Sequence, residues 1–322
     1  MKTMRMGSIA ASVLVAAAAS TAAHAQTTPI IFDTNGAAAG GEITVSTFDW
    51  SPDNALAVGA TPLSLDPNTP TTFTLYAQGQ LGNFLDSTNN AILGTGLGSA
   101  FEITFEAGFS ESGVNIVTPA IGANAIFSLD TAGPVNFFNM YYDTSRDANA
   151  LAGTGYNDGD LILTAIALAN QTSFFVAFDA TGNPTLVNLD NNGTNNLPGV
   201  GTVVGSGGGQ LTAAVTSQDF DYFKSDFSGF IVDLFFNTSN ITPFNQVDPA
   251  QQVVGNAPQY GGPGGGFAAV NGFGTGNDCV LCDFHFQADA NQSFQAIPEP
   301  GSVALLSLAL GGLGISRRRK RV

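Results

Sequence analysis

Phe101-Glu102-Ile103-Thr104-Phe105-Glu106-Ala107 is the stretch that decides the fold. Phe101, Ile103, Phe105 and Ala107 fall on one side of a period-two pattern, and Glu102, Thr104 and Glu106 on the other. That alternation belongs to a strand with one face on a core. Thr72–Gln78 and Asp283–Asp289 read in the same way. Further strand candidates are Ile43–Phe48, Ala125–Leu129, Val135–Tyr142, Leu161–Ala169, Ser173–Phe178, Gln210–Thr216 and Phe230–Phe236. Turn signals separate many of them: Asn157-Asp158-Gly159-Asp160, Thr181-Gly182-Asn183-Pro184, Asp190-Asn191-Asn192-Gly193 and Gly205–Gly209. About ten strands with this punctuation predict an all-β antiparallel sandwich of jelly-roll or immunoglobulin-like type. It would fill residues 26–296 as a single domain, with Gly255–Asn277 as a long glycine-rich loop.

Both ends have a different character. Met1–Ala25 carries Lys2 and Arg5, an apolar stretch Ile9–Ala19 and the small-x-small run Ala23-His24-Ala25. This predicts a secretory signal helix cut after Ala25 by a signal peptidase that reads Ala23 and Ala25. At the other end stand Pro298-Glu299-Pro300, the uncharged run Ser302–Ile315 and the cluster Arg317-Arg318-Arg319-Lys320-Arg321. A helix must start after Pro300. At about 1.5 Å per residue that run covers roughly 21 Å, short of the roughly 30 Å hydrocarbon core, so it predicts a temporary transmembrane helix. Arg317–Arg321 form the cytoplasmic membrane stop.

This tail, 297–322, resembles the PEP-CTERM sorting signal of Gram-negative bacteria: Pro-Glu-Pro, an apolar helix with Gly311, Gly312 and Gly314, then an arginine cluster. The resemblance implies recognition of Pro298, Glu299 and Pro300 by a membrane cysteine protease, an exosortase. It also implies transient inner-membrane anchoring and delivery to the cell surface or extracellular matrix. In the body, Asn136-Phe137-Phe138, Tyr141-Tyr142-Asp143, Asp147–Gly159, Phe236-Asn237-Thr238, Pro243–Pro249 and Phe286–Asn291 resemble flocculation-associated PEP-CTERM proteins of floc-forming bacteria. That second resemblance implies a partner in exopolysaccharide and brings no catalytic residues.

Charge narrows the partners further. The chain holds nine Lys and Arg against 25 Asp and Glu. Removing the signal takes Lys2 and Arg5, and removing the tail takes Arg317–Arg321 and Glu299. Arg146 and Lys224 then face 24 acids, a net charge of −22. Nucleic acid is excluded as a natural ligand, since almost nothing would neutralise phosphates. Acidity keeps an exported protein soluble; contact with an acidic polysaccharide would need a divalent bridge.

Signs of catalysis are sparse. His285 is the one histidine of the mature chain, and its strand pattern puts it on a solvent face with Asp283, Gln287 and Asp289, opposite Phe284, Phe286 and Ala288. No Gly-x-Ser-x-Gly elbow, phosphate loop or dinucleotide loop occurs. The single Trp50 offers little of an aromatic sugar cleft. Cys279 and Cys282 leave three readings open: a small disulfide ring, a pair of labile thiols, or metal ligands with Asp283 and His285. No cofactor is required; calcium is the ligand best suited to the hard oxygens of Asp158, Asp160, Asp190 and Asn192, in turns where the same residues also serve as caps. The expectation is a non-catalytic exported matrix protein. The alternatives are a secreted polysaccharide-degrading enzyme and a calcium-dependent carbohydrate-binding module.

Overall fold

The computed structural model describes residues 28–61, 63–119, 121–189, 192–193, 200–227, 230–238, 244, 246–249, 253, 273–274 and 282–296. They form fourteen strands: β1 (Ile30–Asp33), β2 (Glu42–Val45), β3 (Thr47–Thr61), β4 (Thr71–Leu85), β5 (Glu102–Thr118), β6 (Gly122–Leu129), β7 (Asn136–Asp143), β8 (Asp160–Ala177), β9 (Leu186–Asn188), β10 (Val200–Val203), β11 (Gly205–Gln218), β12 (Phe230–Thr238), β13 (Phe273–Gly274) and β14 (Cys282–Ala296). No helix among the described residues is long and apolar enough to cross a membrane. The expected signal and transmembrane helices lie outside the described residues.

Every strand pairing is antiparallel. The main sheet runs β11-β12-β14-β3-β4-β5-β6-β8, and β8 pairs with β11, so the ladder returns to its start. β6 and β7 share one place in that ring. β5 pairs with β7 through Glu102–Phe109 and with β6 through Glu111–Thr118. β8 meets β7 through Asp160–Ala165 and β6 through Gln171–Ala177. The β8–β11 pairing thus closes the ring, which leaves little free edge to template aggregation.

The all-β antiparallel expectation holds, and facing layers pack across a core as in a sandwich. The connections differ from the jelly-roll and immunoglobulin-like types. Ring neighbours follow chain order from β3 to β14, whereas those sandwiches use Greek keys. Leu161–Ala169 and Ser173–Ala177 are parts of the single long strand β8, and Phe178 lies one residue past its end. Gly205–Gly209 is a correction: it opens β11 and forms no turn. A Cβ at Gly205 would lie 2.4 Å from the Phe175 carbonyl oxygen, and one at Gly209 would lie 2.0 Å from Thr172 Cγ2, so glycine lets β11 approach β8. Phe273–Gly274, inside the segment expected to be loop, pair with β10.

The interior is uneven along its length. At the end where β14 finishes, Phe32, Phe48, Phe84, Phe223, Phe227 and Phe294 form a solid aromatic plug. Phe227 stacks on Phe294 at 4.7 Å and Phe32 meets Phe84 at 5.3 Å. The β1–β2 hairpin supplies Phe32, and the segment after β11 supplies Phe223 and Phe227. Burying each ring stabilises the fold by about 1.5–3 kcal/mol, and each aromatic pair adds about 0.5–1.5 kcal/mol. Trp50 sits mid-barrel, 4.7 Å from Phe105, with Nε1 donating to Gln292 Oε1 at 3.2 Å. At the opposite end the wall residues are small (Ala55, Ala57, Ala60, Ala123, Ala125), and the interior is hollow.

Candidate functional site

The hollow is a cavity of about 340 Å³. Phe73, Phe109, Phe127, Phe174, Phe284 and Phe286 supply aromatic walls. Val117, which lines it, is 44% exposed, so the cavity reaches solvent at the strand ends. Glu111 and Asn170 stand in its wall as a polar pair.

Strand geometry places both. On β5 the core face runs Ile103, Phe105, Ala107, Phe109 and then Glu111, so regular alternation carries a carboxyl inward. Asn170 needs a device. Leu163, Ala165 and Ala167 of β8 point inward, and unbroken alternation would turn Asn170 out. The β8–β11 register slips between Ala167 and Ala169, leaving Leu168 as a bulged residue that is 49% exposed. Past the bulge, Asn170, Thr172 and Phe174 line the cavity. Asn136 on β7 pins this region: its Oδ1 accepts from Ala167 N at 2.7 Å and its Nδ2 donates to Ala167 O at 3.0 Å.

Asn170 Nδ2 donates to Glu111 Oε1 and, at 3.3 Å, to Thr172 Oγ1. Asn170 Oδ1 is buried with no hydrogen-bond partner. Burial pushes the Glu111 carboxyl up to about 8, opposed only in part by the Asn170 hydrogen bond. Among the described lining residues Glu111 is the one ionisable group.

A second polar assembly lies outside the barrel wall, and it corrects the expectation for His285. Asp283, His285 and Gln287 do share a face, but that face is buried, with His285 1% exposed. Phe244, Gln246 and Val247 lie over it. Phe244 packs edge-on to His285 at 4.9 Å, and Gln287 Oε1 accepts from Gln246 N and Val247 N. β12 ends opposite Asp289, so β14 between Asp283 and Ala288 has β3 as its ring neighbour there. His285 Nε2 is 3.2 Å from Asn54 Oδ1, and burial holds its imidazole down to about 3, neutral at pH 7. Beside it, Asp53 accepts from Tyr156 OH, Gln78 Nε2 and Asn54 N. Burial raises Asp53 to about 6 despite those bonds.

The outer face of β5 is covered too. Thr104 Oγ1 donates to Tyr156 O at 2.7 Å, and Glu106 accepts from Tyr141 OH and Asn157 Nδ2. Glu102 accepts from Gln80 Nε2 at 2.7 Å and Ala148 N at 3.0 Å, and burial raises its carboxyl.

Of the expected calcium residues, Asp158, Asp160 and Asn192 fall among the described residues. Asp158 is exposed, and Asp160 opens β8, with Tyr222 OH 3.5 Å from its Oδ2. Asn192 is half-buried, and Asp190 lies outside the described residues. Glu102, Asp143 and Asp147, which sequence reasoning missed, have carboxylate oxygens within 4.8 Å of one another and could hold a hard cation. Other Asp turns are satisfied internally. Asp86 accepts from Thr88 and Asn90, and Asp179 accepts from Thr181 and Asn183 in the same pattern, which lowers both carboxyls. Of the two mature-chain cations, Lys224 pairs with buried Asp33 at 3.4 Å and Arg146 donates to Gly98 O. Ala23, Ala25, Cys279, Pro298, Glu299, Pro300 and Arg317–Arg321 lie outside the described residues, as does the side chain of Cys282.

Residues 296–321 match the PEP-CTERM protein-sorting motif. No curated protein and no solved structure matches the chain. The motif marks the protein for export across the inner membrane and for sorting to the cell surface by an exosortase.

Proposed function

We propose that the exported barrel is a non-catalytic matrix protein that holds cells and exopolysaccharide together in flocs or biofilm. One observation carries this reading: β14, the last strand of the closed ring, ends at Ala296, where the sorting motif begins. The barrel and its sorting device are therefore joined without a linker, and the hollow end lies opposite the point where the chain leaves the barrel. A compact module built to be delivered and left outside suits a structural role.

The chemistry favours the same view over hydrolysis. His285 is buried and neutral, packed under Phe244, where it can reach no substrate. Trp50 is in the core and offers no platform for a sugar ring. With both mature cations engaged and a net charge of −22, attachment to an acidic polysaccharide would proceed through divalent cations.

Deleting the gene and scoring floc formation tests the role. Incubating the surface protein with host exopolysaccharide, with and without millimolar calcium, tests the mechanism. Calcium-promoted retention without cleavage is expected, released by chelator and not reproduced by sodium at equal ionic strength. Polysaccharide cleavage, or normal flocs in the deletion strain, would overturn the reading.

A further inference from the structure

We propose that the hollow end of the barrel binds a small amphiphile, an apolar body of about ten carbons with a primary ammonium head seated between Glu111 and Asn170. The size follows from the cavity. Its 340 Å³ is about twice the roughly 150 Å³ that accommodates benzene, which leaves room for about a dozen non-hydrogen atoms. Barrels of eight strands are wide enough to hold one small ligand. The walls of alanine and phenylalanine suit an alkyl or aryl body.

The head group follows from what the polar pair lacks. Asn170 Oδ1 is a buried acceptor without a donor, in a residue only 5% exposed. An unmet acceptor of this kind costs about 1–3 kcal/mol. Glu111, 2% exposed, takes a hydrogen bond from the Asn170 amide, and on ionising its carboxylate adds acceptor oxygens beside Asn170 Oδ1. An ammonium brings several N–H donors and the charge that matches a carboxylate. An alcohol brings one donor and no charge, and a fatty acid brings a like charge. The bulge at Leu168, pinned by Asn136, aims Asn170 into the cavity at the expense of a ladder position. Packing alone would have been served by an apolar residue there.

Binding has a proton signature. Burial leaves Glu111 mostly protonated in the empty barrel at pH 7. An arriving ammonium favours the carboxylate, so the carboxyl proton passes to the buffer while the ligand keeps its own. No other ionisable side chain lines the described cavity, so that proton comes from Glu111.

The test is isothermal titration of the protein recovered from the cell surface with decylamine, decanol and decanoic acid, repeated in buffers of different ionisation enthalpy. The expected result is saturable one-to-one binding, with decylamine at least tenfold tighter than decanol and decanoic acid weakest. Close to one proton should be released per decylamine at pH 7. Glu111→Gln should remove the proton release and weaken decylamine at least tenfold while leaving decanol unchanged. Ala125→Met, which fills the cavity and leaves the polar pair in place, should abolish binding of all three. Absence of binding, equal affinity for the three probes, a preference for the acid, or decylamine binding that survives Ala125→Met would each overturn the proposal. The assay uses purified protein, so it stands or falls independently of the role in flocs.

Discussion

Replacing Glu111 by glutamine should stabilise the protein at alkaline pH and do little in acid. The wild-type carboxyl is pushed up from an ordinary 4.5 to about 8 by burial in the apolar end of the barrel. Between those values the folded state binds more protons than the unfolded chain, so stability falls as pH rises through that window. At about 1.4 kcal/mol per pH unit the loss is capped at about 5 kcal/mol. Solvent reaching the cavity past Val117 should reduce it to about 2–4 kcal/mol. Glutamine keeps the acceptor for Asn170 and cannot ionise. His285 and Asp53, held at about 3 and about 6, are present in wild type and variant alike, so their titration cancels in the difference. The difference between wild type and variant from pH 7 to 9 therefore reports Glu111. Urea unfolding at pH 5, 7 and 9 measures it, with equal m-values as the check on two-state behaviour. Glu111→Gln should be within about 1 kcal/mol of wild type at pH 5 and about 2–4 kcal/mol more stable at pH 9. A difference that does not change with pH, or a wild type that gains on the variant at pH 9, would refute the buried carboxyl.

His285 should act with the opposite sign. Its imidazole is held below its ordinary 6.5, so its contribution is intact above pH 6.5 and is lost as pH falls toward 3. His285→Asn should flatten that part of the acid limb in urea unfolding, and an unchanged acid slope would argue against burial under Phe244. Gly122→Ala places a Cβ 2.3 Å from the Val176 carbonyl oxygen and 2.5 Å from the Phe175 ring, so β6 must pull away from β8. The expected loss is about 2–4 kcal/mol of stability, read as a lower urea midpoint, and a shift under about 0.5 kcal/mol would mean that β6 does not hold that register.

Much of the barrel wall was legible in the alternation that begins at Phe101. The same pattern, carried four residues beyond Ala107, puts Glu111 on the core face, so its burial was within reach of the sequence. Asn170 was not, because its direction depends on the Leu168 bulge, which breaks the period on which the reading relies. Ring closure was equally hidden: the β8–β11 pairing depends on glycines whose sequence signal is that of a turn. Alternation alone puts His285 in solvent, because one strand's pattern cannot show what lies over its polar face. Phe244 lies over that face, and Gln246 and Val247 are held to it through backbone N–H groups, which carry no side-chain signature. Residue type and turn context alone point to Asp158, Asp160, Asp190 and Asn192 for calcium. The carboxylates that converge, Glu102 on β5 and Asp143 and Asp147 at and just past the end of β7, meet only after β5 and β7 pair.

Mass spectrometry of intact protein from the exopolysaccharide matrix of wild-type cells tests the central claim most directly. A delivered and released barrel predicts a chain that begins at Gln26, ends near Pro298–Pro300 and has lost Arg317–Arg321. Full-length chains that keep the arginine cluster, found in the inner membrane and absent from the matrix, would contradict it.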